Sequence, residues 1–441
     1  MMTNSSKAGT VGLVLTLTLA NILAFVDRQV ISLLVDPIRA TFGVTDIEIG
    51  LLQGLAFALL FAVFGLPAGR AVDTWNRKSV LVIGIAVWTV ATTTSGLVGT
   101  FAGLFAARVL VGVGEATLAP AAYSMIADKC DERVLGRALS IYQSGIFIGS
   151  AIAYVGGGAL LAAAMERDPL MLPFFGEILP WQQVFLAVGL PGILMVALVA
   201  RIEDPPRRAR VAPPKLSAVF AYLWNHRGAY CWLTMAMAAF GSLGYGLNAW
   251  APAAAARTFG LSPEVVGRGL GIAVLGGSLT GIFLAGMIAD SLANRYGGHM
   301  RLIVLIAVGC ITPPIALGAA YAGSPTDALI AVFALFALAA APFSAGVAAL
   351  QALAPGNMRG QISALYYASA LVVAIVVGPA LPPVLAGHLF GGDRSIGVAL
   401  GWSTAALAAM GVALTSLALP RYRASLKDGQ QRAAGDGLSA M

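Results

Sequence analysis

Long apolar runs alternate with short polar breaks along the whole chain. The runs lie near 11–35, 47–72, 79–98, 101–126, 137–163 and 181–201, and then near 228–255, 264–289, 301–322, 326–352, 361–388 and 396–420. A helix needs about 20 apolar residues to cross the hydrocarbon of a bilayer, so each run is long enough to span it. The stretch 202–227, with Glu203, Asp204, Pro205, Pro206, Arg207, Arg208, Arg210, Pro213, Pro214 and Lys215, is too polar and proline-rich to span. It reads as a linker between six helices and six helices. The expected organisation is an N-terminal bundle over 1–201, the linker over 202–227, a C-terminal bundle over 228–420 and a tail over 421–441.

Composition agrees with that pattern. The chain is 59% hydrophobic and 11% charged, whereas soluble domains carry about 25% charged residues. An all-α integral membrane protein follows. The first apolar run is too long for a cleaved signal and reads as a retained span. Cys130, Cys231 and Cys310 are scattered and give neither a disulfide framework nor a metal-ligand spacing.

Charge then sets orientation. Twenty of the 27 Lys and Arg residues fall in the tails and the even-numbered connections, five in the odd connections, and two inside spans. The five are Arg39, Arg167, Arg257, Arg268 and Arg394. By the positive-inside rule both termini and the linker are expected in the cytoplasm. The net charge of +7 is therefore a topology signal and gives no ground for nucleic-acid binding.

The halves also repeat. Gly69-x3-Asp73-x3-Arg77-Lys78 after the second span returns as Gly286-x3-Asp290-x4-Arg295 after the eighth. Gly136 and Tyr142 return 224 residues later as Gly360 and Tyr366. Parallel six-helix repeats with a substrate site at their interface are a transporter architecture, so two pseudo-symmetric six-helix bundles are expected.

Four charges sit inside the apolar runs: Asp27 and Arg28 in the first, Arg108 and Glu115 in the fourth. Each costs about 2.5–3.5 kcal/mol on insertion scales, so their retention marks a functional site by default. Arg108 and Glu115 are seven residues, or about 10.5 Å, apart on nearly one helix face. Their partners are therefore expected on another helix, and Asp27 and Arg28 are the intramembrane charges on offer. Asp27 and Glu115 are candidate proton sites, and Arg28 and Arg108 candidate anion sites. A purely structural lock between the two helices is the competing reading.

The second half offers only scattered polar groups at depth, among them Tyr245, Asn248, Ser278, Tyr366, Tyr367 and Ser369. Asn248 and Tyr366 are the candidate substrate contacts there. A cavity charged on one side and apolar on the other suits an amphiphile with one ionic end. Gly112-Val113-Gly114 lies in an apolar helix without a preceding strand, so a dinucleotide reading fails. His226, His299 and His388 stand apart, and neither a metal, a cofactor nor an enzyme's acid–base cluster is expected. Gly378-Pro379 with Pro382-Pro383 predicts a kink in the eleventh span.

The chain resembles the major facilitator superfamily over nearly its whole length. GRAVDTWNRK (69–78) looks like that superfamily's motif A, departing at Thr74 and Asn76. NILAFVDRQVIS (21–32), RVLVGVGEA (108–116), SMIAD (124–128) and RALSIYQSGIFIGSAIAYVGGG (137–158) are similar to the Spinster family of lysolipid and sphingolipid transporters. Ala24-Phe25-Val26 stands where that family carries Asn-Tyr before the acid.

The resemblance implies a secondary transporter working by alternating access. Together with the intramembrane charges it points to a monomer that moves a lysolipid, sphingoid or similar amphipathic anion with protons, and the short loops point to a bacterial inner membrane. It also implies that Gly69, Asp73, Arg77 and Lys78, with Asp290 and Arg295, form a cytoplasmic gating latch. Rival readings are a carrier of a small organic anion, a proton/drug antiporter, and a non-transporting membrane sensor.

Overall fold

The computed structural model describes all residues except 1–3, 168, 169, 174, 208–215, 356, 357, 393, 394, 440 and 441. Arg208, Arg210 and Lys215 of the linker, and Arg394, fall outside the described residues, as do the side chains of Lys7, Tyr367, Lys427 and Arg432. The apolar runs fold as helices, because a chain in hydrocarbon must satisfy its own N–H and C=O groups.

Several expected spans are broken near their middle. The first run gives α1 (Asn4–Val30), a 3-10 turn and α2 (Val35–Phe42). The second gives α3 (Asp46–Gln53) and α4 (Leu55–Thr74), and the third α5 (Arg77–Ser95). The fourth splits into α6 (Phe101–Glu115) and α7 (Leu118–Lys129), while the fifth is the single helix α8 (Glu132–Glu166). A short antiparallel hairpin, β1 (Leu170–Leu172) with β2 (Gly176–Ile178), follows it and was not foreseen. The sixth run becomes α9 (Pro180–Gly189) and α10 (Pro191–Arg201).

After the linker come α11 (Leu216–Asn225), α12 (Arg227–Phe259), α13 (Pro263–Ile272), α14 (Ser278–Tyr296) and α15 (Met300–Ala320). The chain ends with α16 (Pro325–Ala340), α17 (Pro342–Leu353), α18 (Arg359–Leu389) and α19 (Ile396–Ser439). Among the described residues, eleven helical stretches are long and apolar enough to cross a membrane. The seventh expected span, α12, is as long, with 33 residues. Gly241, Ser242, Gly244, Tyr245, Gly246 and Asn248 make it more polar than the others.

Local chemistry explains the boundaries. Thr45 and Glu48 form a capping box at α3: the Glu48 N–H donates to Thr45 Oγ1 at 3.3 Å, and the Thr45 N–H to Glu48 Oε2 at 2.8 Å. Thr100 and Ser324 cap α6 and α16 in the simpler way. Asn76, the residue that departs from motif A, caps α5 by accepting the Ser79 N–H at 3.0 Å. Pro180, Pro191, Pro263, Pro325 and Pro342 stand in the first turns of their helices, where a missing N–H costs nothing.

The eleventh span runs as one helix through Pro379, Pro382 and Pro383. Pro383 has no N–H to give to the Pro379 carbonyl four residues back. The indole Nε1 of Trp250 donates to that oxygen instead, at 2.7 Å.

By contacts the chain forms two compact units. The first holds Met1–Ala209 together with Pro252–Leu275, and the second Arg210–Ala251 together with Gly276–Met441. Division by sequence order places Pro252–Leu275 elsewhere, and two features explain its membership of the first unit. Helices α8 and α13 approach so closely that a Cβ at Gly267 would sit 2.2 Å from the Tyr154 carbonyl oxygen. Arg257 is also held by Asp36 and Asp46. The chain leaves the first unit for the second time inside a π-helical segment, Ala273–Gly277. In the second unit Leu233, Leu302, Leu350, Ile362 and Tyr422 centre the packing, with Tyr422 Oη donating to the Ala349 carbonyl at 2.9 Å.

Candidate functional site

Helices α1 and α6 bring all four intramembrane charges together, in two crossed pairs. Arg108 Nη1 donates to Asp27 Oδ1 at 2.9 Å, and its Nη2 reaches the Asp27 backbone carbonyl at 3.5 Å. Arg28 donates to Glu115 Oε2. Adjacent residues on a helix diverge by about 100°, which sends Asp27 and Arg28 to different points along α6. Asp27, Arg108 and Glu115 are only 2–3% exposed.

The arginine of the second pair is also held by ring faces. Its guanidinium carbon lies 4.8 Å from the Phe25 ring centre, 4.0 Å from Phe57 and 5.8 Å from Phe61. Cation–π attraction of this kind strengthens when the charge is desolvated. Phe25 thus meets the arginine with a ring that carries no hydroxyl.

Glycines set the depth of α6. A Cβ at Gly112 would fall 2.5 Å from the Phe57 carbonyl oxygen, and one at Gly114 the same 2.5 Å from that of Gly84. The helix is therefore wedged against α4 and α5 by backbone contact, leaving Arg108 and Glu115 to meet α1. Each acid uses one oxygen in its pair. Asp27 Oδ2 and Glu115 Oε1 are buried and have no hydrogen-bond partner among the described residues.

A cavity of about 450 Å³ lies in the same unit. Leu33, Leu161, Met165, Trp181 and Val266 make its wall apolar, and Asp36 supplies a carboxylate. Its nearest residues on the first span, Ser32 and Leu33, follow Arg28 by four and five positions, or about 6–7.5 Å of helix. Between them, Gln29 Nε2 donates to Tyr154 Oη at 2.9 Å.

Motif A is tied to α7 and to the start of the linker. Arg77 is fully buried: Nε donates to Asp204 Oδ1 at 2.8 Å, Nη1 to Ser124 Oγ at 3.0 Å and to Asp128, and Nη2 to the Pro205 carbonyl. Its own backbone N–H donates to Asp204 Oδ2 at 2.8 Å. Asp73 is exposed, and its carbonyl, with those of Val72 and Trp75, accepts from Arg207 at the C-terminus of α4. Gly69 and Lys78 lie half-buried nearby in sequence. In the second copy of the motif, Asp290 pairs with Arg301 at 3.1 Å, while Arg295 lies over the Tyr296 ring.

Asn248 and Tyr366 belong to the second unit. Asn248 is half-buried and donates to the Gly244 carbonyl of its own helix at 2.9 Å; Tyr366 is buried and lines a cavity with α11 and α12.

The residues that sequence reasoning missed are mostly partners. Asp46, 3% exposed, accepts from Arg257 at 2.6 and 2.9 Å and from Arg39 at 3.1 Å, while Asp36 accepts from Arg257 at 2.7 and 2.9 Å. Asp128 belongs to the SMIAD segment that resembles the Spinster family, whereas in sequence Arg257 reads only as a charge at the end of a span.

Spanning helices in two units, with two pairs of opposite charges buried between two of the helices, are the architecture of an integral membrane protein. The sequence profile of the Major Facilitator Superfamily matches residues 17–324, and the chain belongs to that family of transporters. It is 26% identical over 414 residues to an MFS-type efflux pump of Mycolicibacterium smegmatis, with 92% of each chain covered. It is 29% identical over 216 residues to protein spinster homolog 1 of Xenopus laevis, covering 47% of this chain and 38% of that one. A bacterial homolog of the human lysosomal transporter Spinster, solved inward-facing and unoccupied, superposes with a TM-score of 0.79 at 23% identity, covering 95% of this chain and 98% of the other.

Proposed function

We propose that this transporter moves a lysolipid, sphingoid or similar amphipathic anion by alternating access, coupled to protons. One observation carries the reading: each buried acid of the quartet gives one oxygen to an arginine and keeps the other open. Asp27 and Glu115 hold the protons, and Arg28 and Arg108 bind the anionic head group. Asn248 supplies a polar contact from the second bundle.

The coupling follows from charge. When a substrate phosphate or carboxylate takes over a guanidinium, the acid loses its counter-charge and gains affinity for a proton. Linkage is reciprocal, so protonation also frees the arginine for the anion. Symport results. A cationic substrate would compete with protons for the same carboxylates and give antiport, the reading favoured if the efflux-pump relative is the better guide.

The amphiphile rests on the distribution of polarity. The charges of the quartet sit on one helix pair, and an apolar cavity begins one to two helical turns further along the same span. Both bundles have their termini in the cytoplasm by the count of basic residues, in a bacterial inner membrane. Arg77, Asp204 and Arg207 tie motif A to the first residues of the linker.

Proteoliposomes test the coupling. Uptake of a lysophospholipid should accelerate when a pH gradient is imposed; equal rates with and without it defeat the proposal. A thermal-shift screen tests the cargo, with stabilisation expected from lysophospholipids and sphingoid phosphates. Stabilisation by cationic drugs alone reverses the choice.

A further inference from the structure

A second cavity, of about 340 Å³, lies wholly within the second unit and is separate from the charged quartet, although Tyr366, a candidate substrate contact by sequence, is part of its wall. Helix α11 roofs it with Phe220 and Trp224, α12 gives Arg227 and Met235, and α18 gives Leu365 and Tyr366. Its lining is mainly apolar, with Arg227 at one end and the hydroxyl-bearing Tyr230, Thr234, Tyr366 and Ser369 set among the hydrocarbon.

Helix α11 is amphipathic and short. It buries Val219 completely, and Tyr222 Oη fastens it by donating to the Leu353 carbonyl at 2.8 Å. Yet Phe220 and Trp224 remain 56% and 68% exposed. An aromatic residue left this open beside a transmembrane bundle belongs at the water–lipid boundary, where its ring meets headgroups and chains together.

The guanidinium groups at the mouth have no carboxylate partner among the described residues and donate only to backbone carbonyls. The Arg227 guanidinium lies 5.1 Å from the Trp224 ring centre, and one of its N–H groups donates to the Trp224 carbonyl at 3.1 Å. Arg421 comes from α19 to the same place. A Cβ at Gly228 would sit 2.5 Å from Arg421 Cδ and 3.0 Å from its Nε, so any larger residue would push that arginine away. Both arginines are exposed, and neither forms a salt bridge among the described residues. Other arginines of this chain are spent differently: Arg28, Arg77, Arg108 and Arg257 all hold carboxylates. Two guanidinium groups without an acid, beside an apolar slot, are short of an anion that carries hydrocarbon.

We propose that this cavity is a binding site for an anionic phospholipid of the surrounding bilayer. An acyl chain lies in the slot between α11, α12 and α18, and the phosphate is held by Arg227 and Arg421. The basic-residue count puts this mouth on the cytoplasmic side, where anionic headgroups and basic pockets between helices meet. Occupancy would fasten α11, which closes the linker, to the second unit. The site is separate from the quartet, so it can fail without affecting the reading of substrate and proton.

The full-length protein in neutral detergent tests the proposal by thermal unfolding. Titration with phosphatidylglycerol should raise the melting temperature, whereas phosphatidylcholine with the same chains should raise it far less. Glycerol phosphate, a headgroup without chains, should have no effect. In the double variant Arg227→Gln/Arg421→Gln the apparent affinity for phosphatidylglycerol should fall roughly thirtyfold, from two surface contacts of the usual strength. Both side chains are exposed, so the lipid-free melting temperature should be unchanged. Leu365→Trp, which fills the slot but keeps the arginines, should also weaken the response. Equal stabilisation of the double variant by phosphatidylglycerol, or full stabilisation by glycerol phosphate, overturns the assignment.

Discussion

Arg108 and Asp27 close on each other at 2.9 Å from two different helices, and both are almost completely buried. Breaking such a pair leaves one charge without a partner in a dry site, which costs about 3–5 kcal/mol. Arg108→Leu alone and Asp27→Leu alone should each lower stability by about that amount. The double variant, which removes both charges, should recover most of it while transport stays abolished. Thermal unfolding and uptake, measured on the same three preparations, check the prediction. A double variant as unstable as the singles would show that packing, and not charge, holds the helices together there.

Glu115 pairs with Arg28 and retains one open oxygen. Glu115→Gln keeps the shape and removes the proton site. It should lose accumulation driven by a pH gradient but keep exchange of substrate for substrate, which moves no net proton. Radiolabelled uptake and counterflow distinguish the two activities. Normal gradient-driven accumulation in this variant would leave the acid a structural role only.

Arg28 also sits among Phe25, Phe57 and Phe61, and lysine cannot reproduce the planar stacked cation there. Arg28→Lys keeps the charge. It should raise the apparent KM for the anionic substrate about tenfold, the equivalent of about 1.4 kcal/mol, with less effect on kcat. A KM unchanged from the parent would place the head group elsewhere.

The hydrophobic pattern revealed the spans, and the intramembrane charges revealed the site, because both are properties of single stretches of sequence. Which arginine meets which acid was not legible. It depends on how α1 and α6 are rotated, and the close approaches at Gly112 and Gly114 fix that rotation. Charges at the ends of spans misled for a related reason. Arg77 and Arg257 look like topology signals in a count of basic residues, yet both are tied to acids distant in sequence: Asp128 and Asp204 for the first, Asp36 and Asp46 for the second. Local sequence carries no record of such pairs. Pro252–Leu275 joined the first unit through contacts of the same long-range kind.

Arg77 and Arg207 bind the first residues of the linker to motif A, so the linker should be protected where it begins. Asp204→Ala removes both oxygens that hold the Arg77 backbone and side chain, while leaving Asp128 in place. Limited proteolysis should then cut the linker near 204–207 faster than in the parent. Cleavage at an unchanged rate would mean that the ion pair does not fasten the segment.

Glycine substitutions along the helices should differ in sign. A Cβ at Gly112 meets the Phe57 carbonyl oxygen at 2.5 Å, and that oxygen belongs to the backbone and cannot swing aside. Gly112→Ala should therefore push α6 from α4 and cost about 1–3 kcal/mol, as overpacking does. Gly136 lies in α8 with nothing within 4 Å of its Cβ position. There alanine should stabilise by up to about 1 kcal/mol, because a helix interior prefers it to glycine. Thermal unfolding of the two variants checks the contrast, and transport should suffer only in the first, since α6 carries Arg108 and Glu115. Equal and small shifts at both positions would mean that α6 can move away from α4 without loss, and that its glycines do not fix the depth of the charged pair.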